Sequence, residues 1–200
     1  MALFVNGCGA DQNPLPRREV ELAKRYGETL AIAVDLVLKG EMRNVNGPLR
    51  TAFARVPLAF NAPSKAEFEA RLNDRNERKC NHAKRMLTML GEGGLIESMP
   101  YPVQVWQFGD ALTLIALAGE AVVDYSLRFK RSYGWHDTWV SAYNNDVFGY
   151  VPSLRVLKEG GYEGGEAMWG GSFPGPFQPG VEETIAETVD DLVKRTGGKD

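Results

Sequence analysis

The sequence predicts an α/β fold, a mixed β-sheet covered by helices in an α/β sandwich. Three observations carry that expectation. Segments with strand character alternate along the chain with segments whose apolar residues recur at steps of three and four. The run LTLIALA (112–118) is almost wholly apolar, as in a strand in the middle of a covered sheet. With 200 residues, 44% hydrophobic and 24% charged, the chain can bury a sizeable core in one domain.

In chain order, ALFVN (2–6) reads as a short buried strand that runs into a polar loop ending at Asn13-Pro14. From Arg17 to about Leu38, the residues Leu22, Tyr26, Leu30, Ala33 and Val37 line one face of a helix begun near Pro16 and stopped by Gly40. LRTAFARVPLAF (49–60) alternates and predicts one extended strand. Ser64 with Glu67 is a capping-box signature, opening a helix that runs to about Leu90 and ends at Gly91. VQVWQFGDALTLIALAGE (103–120) reads as two strands around a tight turn at Gly109-Asp110, followed by a helix from about Glu120 to Tyr133. WVSAYNNDVFGYVP (139–152) is a further strand and loop, and Val181 to Lys194 a last amphipathic helix. The Gly, Pro and aromatic residues of 160–180 predict an ordered loop, because bulky rings favour packing over solvent. There is no internal repeat and no linker long enough to divide the chain.

Composition narrows the function. A formal charge of −3, from 23 basic and 26 acidic residues, gives no general attraction to nucleic acid or anionic membranes. The basic residues of RLNDRNERKCNHAKR (71–85) alternate with acids on a helix, the pattern of a solvated face rather than a nucleic-acid site. No apolar run approaches the ~20 residues that span a bilayer, and no charged-then-apolar leader follows Met1. Cys8 and Cys80 form no CxxC pair, and one sequence does not decide whether they bond to each other. Only His82 and His136 offer imidazoles.

The polar chemistry gathers at strand ends. Gly119-Glu120 closes the most apolar strand, and in open α/β sheets ligands collect outside the carboxyl ends of strands. Glu120 is therefore a candidate metal ligand or base, although a Glu at a helix start also balances the helix dipole. Tyr150 and Tyr162 stand twelve residues apart around PSLRVLKEGG. Either is a core ring with a bonded hydroxyl, or a ligand if a cation lies beside it. The loops ADQN (10–13) and YNND (143–146) could line the same rim. The residues alone give a polar cleft at one end of an α/β sheet.

The segments ALFVNGCGADQNP, LIALAGE, NNDVFGYVPS and GGYEGGEAM, in that order, resemble the catalytic-domain motifs of the neutral ceramidases, also called neutral/alkaline non-lysosomal ceramidases. The resemblance spans residues 3 to about 172 and is nearest to bacterial ceramidase-like proteins. It implies a zinc-dependent hydrolase that cleaves an N-acyl amide bond, in ceramide or another small-molecule amide or lipid. In that family two histidines, a glutamate and a tyrosine hold zinc. By motif the glutamate is Glu120 and the tyrosine Tyr150, while Tyr162, in its Tyr-Glu-Gly context, contacts the reacting group. The two histidines lie before the loop where this chain opens, and neither His82 nor His136 matches their motifs. The resemblance therefore implies a chain incomplete at its N-terminus, residues 1–200 being the latter part of a catalytic domain without the family's C-terminal immunoglobulin-like domain. It also implies a periplasmic or secreted location, and says nothing of oligomeric state.

One departure bears on specificity. The ceramidase loop reads Gly-Asp-x-Ser-Pro, with a serine important for catalysis, and here Asn13 stands at that position. An amide donates a hydrogen bond to an oxyanion but is no nucleophile, so Asn13 either assists catalysis without attacking or, with Pro14, shapes the turn before the first helix. The alternative from a different class is a non-catalytic relative that binds lipid or sugar through a rim of Tyr162, Trp169, Phe173 and Phe177.

Overall fold

In the computed structural model, which describes residues 4–197, the strands are β1 (Leu49–Ala59), β2 (Ser98–Phe108), β3 (Leu112–Leu117), β4 (Glu120–Ala121), β5 (Thr138–Ser141) and β6 (Tyr150–Val151). Four of them form a mixed sheet in the order β1-β2-β3-β5, antiparallel except for the parallel pair β3–β5. The remaining two, β4 and β6, make a separate parallel pair. Among the helices, α1 (Val20–Lys39) precedes the sheet, and α2 (Lys65–Ala70) and α3 (Glu77–Glu92) fill the β1–β2 connection. After β4 come α4 (Val123–Tyr133), α5 (Leu154–Glu159), the single turn α6 (Gly161–Gly164) and α7 (Val181–Arg195). The fold is α/β, and the apolar β3 lies inside the sheet, between β2 and β5.

Alternation places the core. Val103 and Val105 of β2 sit opposite Leu117 and Ile115 of β3, and with Tyr101 they are fully buried on one face. Tyr125 and Phe129 of α4 and Ile185, Val189 and Leu192 of α7 join them in one cluster. Each such side chain contributes roughly 1.5–3 kcal/mol by leaving water. The intervening positions lie on the other face, where Trp106 pairs with Leu114 and Leu114 with Trp139. There Phe53 and Trp139 remain 40% and 56% exposed, so this face is only partly covered.

Four sequence expectations change. Residues 2–3 of the expected first strand lie outside the described residues, and residues 4–7 form no strand: Phe4 is 79% exposed, and burial begins at Cys8 and Ala10. This segment instead trails past the end of β5, where the Ala142 amide and the Ser141 hydroxyl donate to the Asn6 carbonyl. Helix α1 has the expected period, yet it starts at Val20 and buries none of its residues.

The capping box at Ser64 and Glu67 forms as read, but the helix it opens ends after six residues. A short 3-10 turn over Arg71–Asn73 follows, and α3 starts afresh at Glu77. Local polar bonds cause the break: Asp74 accepts from the Asn76 amide, and the Asn76 side chain caps α3 by accepting from the Arg78 and Lys79 amides. Both Cys8 and Cys80 are free thiols. No helix among the described residues is long and apolar enough to cross a membrane.

Candidate functional site

The fourth change concerns Glu120 and creates the site. Helix α4 begins at Val123, and Glu120 instead belongs to a two-residue strand paired in parallel with β6, directly opposite Tyr150. The Glu120 amide donates to the Gly149 carbonyl, and the Val122 amide to that of Val151. Glu120 therefore does not cap α4. Asp11 does so from the N-terminal loop, its carboxylate accepting from the Val123 amide at 2.9 Å. With the cap supplied elsewhere, the Glu120 carboxylate is left over for another role.

Gly119 makes the turn from β3 into β4 possible. Its φ is +64°, and a Cβ there would lie 2.8 Å from both the Gly149 carbonyl oxygen and a Val151 methyl. Only glycine combines that conformation with so close an approach. The Gly-Glu pair of the sequence is thus a backbone requirement followed by a delivered carboxylate.

The twelve-residue interval between the tyrosines also has a structural cause. Ser153 caps α5, accepting from the Val156 amide at 3.2 Å. Six helical residues later, Gly160 and Gly161, with φ of +72° and +71°, turn the chain back. The return sets the Tyr162 ring edge-on against Tyr150, with centroids 5.2 Å apart. Tyr162 remains 43% exposed, and the Arg78 guanidinium stacks over its ring at 5.7 Å.

Electrostatics tie Tyr150 to Glu120. Partial burial pushes the Tyr150 phenol up to about 12, and the negative charge of Glu120 adds to the effect. The neighbouring Tyr162 reinforces it. In this state Tyr150 is a neutral donor beside a carboxylate. A divalent cation between the two oxygens would reverse that logic, favouring the phenolate. In chemical type the pair offers two oxygen donors, a carboxylate and a phenol. Among the described residues, no group of three or more His, Cys, Asp and Glu is placed to hold a metal ion. His82 is committed elsewhere: it is buried, with its Nε2 2.7 Å from the Phe173 carbonyl, and burial holds its pKa below the usual range.

Asn13 is exposed, and its side chain makes no hydrogen bond to a described residue. Its loop is anchored near the site, since the Ala10 amide donates to the Ala121 carbonyl and Asp11 both caps α4 and lies 3.7 Å from Arg155. The structure thus brings Glu120, Tyr150 and Tyr162 together and leaves Asn13 at the edge.

The expected binding rim fares differently. Phe177 is 1% exposed and stacks on Phe60, and Phe173 packs on Phe60 and Phe148. Phe177 is thus a core ring, while Phe173 is half-buried and packs against the core. The basic stretch 71–85 is likewise not simply solvated. Arg85 donates to the Trp169 and Gly171 carbonyls, and Lys79 lies over the Trp169 ring. These cations fasten α3 to the Gly-rich loop behind Tyr162.

One residue of the site carries only a faint sequence signal. Tyr143 opens the polar run YNND and has φ of +63°, a left-handed conformation that a bulky side chain adopts at a cost of about 1–3 kcal/mol. Its amide donates to the Gly119 carbonyl at 2.9 Å, and the Asn144 amide to that of Leu117. Burial, then the Glu120 charge, raise the Tyr143 phenol above its usual range.

No protein-family model matches the chain, and no curated protein sequence does. Among solved structures the fold is similar to that of neutral ceramidase from Pseudomonas aeruginosa, with a TM-score of 0.53 at 16% identity, over 85% of this chain and 32% of that one. A ceramidase complexed with C2 is similar at a TM-score of 0.44 and 17% identity, over 76% of this chain and 31% of that one. The chain thus spans about a third of the length of each.

Proposed function

We propose that this chain carries part of the site of a ceramidase-like hydrolase that cleaves an N-acyl amide bond. The observation that carries the reading is the pairing of Glu120 with Tyr150 in a dedicated parallel bridge, with Tyr162 packed on Tyr150. A carboxylate free of capping duty and a phenol paired with it in register would supply two oxygen donors to a cation. The similarity of the fold to neutral ceramidase supports the same reading.

In this proposal Glu120 and Tyr150 hold zinc, and two histidine ligands come from polypeptide outside the 200 residues. Bound zinc supplies an activated water near neutral pH and polarises an amide carbonyl. The residues of this chain do the rest. Glu120, oriented by the backbone bonds of β4, keeps its carboxylate at the strand end. Tyr162, fixed by Tyr150 on one side and Arg78 on the other, donates its hydroxyl to the developing oxyanion, a contribution of about 3–4 kcal/mol where such donors have been removed. Asn13, from the loop anchored by Asp11, donates its amide to the substrate and leaves the attack to water.

The test is hydrolysis of short-chain N-acyl amides by the zinc-loaded protein assembled with the polypeptide that supplies the histidines, compared with its Glu120→Gln and Tyr162→Phe variants. The proposal expects turnover lost in the first and reduced about 100- to 1,000-fold in the second. Turnover indifferent to both substitutions contradicts it.

A further inference from the structure

The YNND turn holds a phenol that the proposed chemistry does not use. Tyr143 sits in the left-handed region although it is neither Gly nor Asn, and a hydrogen bond from its amide to the Gly119 carbonyl fixes it there. Asn144 locks the turn from the other side. Its side-chain amide donates to the Leu117 carbonyl, the Ala142 carbonyl and the Ser141 hydroxyl. The backbone bonded to Tyr143 is that of the residue just before Glu120. The half-buried Tyr143 ring packs against the edge of the core, and its hydroxyl makes no hydrogen bond to a described residue. A bulky side chain held in a costly backbone conformation, with an unbonded hydroxyl and its backbone tied to the residue before Glu120, points to use of that hydroxyl.

We propose that Tyr143 is a further substrate-binding residue, whose hydroxyl donates a hydrogen bond to the carbonyl oxygen of an amide seated beside the Glu120–Tyr150 pair. This rests on the reading of that pair as the place where an amide binds. Three segments then converge on the substrate: the YNND turn with Tyr143, the β3–β4 turn with Glu120, and the β6–α6 return with Tyr150 and Tyr162. Glu120 and Tyr150 meet the metal side, and Tyr143 meets the amide.

The experiment compares binding of two neutral probes by the 200-residue protein, a short-chain N-acyl ethanolamine and a 2-alkoxyethanol of matching length, which lacks the carbonyl. Wild type is expected to prefer the amide. Tyr143→Phe should weaken amide binding three- to tenfold, the worth of one neutral hydrogen bond, and leave the carbonyl-free probe unchanged. Tyr143→Asn, which tolerates the left-handed conformation, should fold normally and lose the same preference. Equal amide affinity in wild type and Tyr143→Phe overturns the proposal, and so does a wild type that binds neither probe. Zinc uptake by wild type and Glu120→Gln, measured alongside, separates the two readings. Uptake indifferent to Glu120 with the Tyr143 effect intact overturns the metal site alone, and the reverse pattern overturns the role of Tyr143 alone.

Discussion

Glu120 and Tyr150 face each other across a parallel bridge of two residues, and that bridge is separate from the main sheet. The arrangement is costly in local terms, since a strand this short adds little stability and requires Gly119 at φ +64° to enter it. What it secures is the position of two oxygen-bearing side chains at the end of the buried β3.

The first prediction follows from the raised Tyr150 phenol. A tyrosine whose folded pKa lies above its unfolded value of ~10 favours the folded state while protonated. That contribution is fully present below pH ~10 and is lost as pH rises toward about 12. Tyr150→Phe cannot titrate, so its denaturant midpoint should fall less steeply than that of wild type between pH ~10 and ~12. Parallel curves for the two proteins would show that neither burial nor the Glu120 charge raises the phenol.

Gly119→Ala tests the turn. The added methyl would meet a carbonyl oxygen and a valine methyl at 2.8 Å in a left-handed backbone. We expect a loss of about 2–4 kcal/mol in equilibrium unfolding, combining backbone strain with overpacking. A loss under about 0.5 kcal/mol, the ordinary surface value, would show that the β3–β4 turn relaxes freely.

Asp11 and Asn13 separate two roles within one loop. Asp11→Ala removes the α4 cap and should cost about 1 kcal/mol of stability. Asn13→Ala touches no described hydrogen bond and should leave stability within about 0.5 kcal/mol. In the assembled enzyme it should lower turnover about 10- to 1,000-fold if the amide serves an oxyanion or the substrate. Unchanged turnover would reduce Asn13-Pro14 to a loop-shaping pair.

The elements held by local pattern were legible in the sequence. The β2–β3 hairpin, its turn at Gly109 and the capping box at Ser64 each rest on residues within a few positions of one another. What sequence pattern missed depends on partners far along the chain. Glu120 reads as a helix start because its strand partner lies thirty residues later and the true α4 cap comes from Asp11. The period of α1 was plain, but period alone says nothing about whether a face has anything to pack against. Phe177 resembles a rim aromatic until Phe60 and Phe148 close over it. Of the candidate site, the carboxylate and both tyrosines were legible through their motifs. Tyr143 was visible only as part of a polar loop, because its strain arises from the bond to Gly119.

Zinc titration of the 200-residue protein, followed by tyrosinate ultraviolet absorbance and by competition with a chromogenic chelator, decides whether Glu120 and Tyr150 act together on a metal. Two oxygens without imidazole make a poor site for a borderline-soft ion, so binding should be weak. It should nevertheless generate tyrosinate absorbance as Tyr150 loses its proton, and affinity should rise with pH because that proton is released. Glu120→Gln and Tyr150→Phe should each abolish the absorbance change. Tight stoichiometric zinc that persists in both variants, or zinc binding without any tyrosinate signal, would contradict the account.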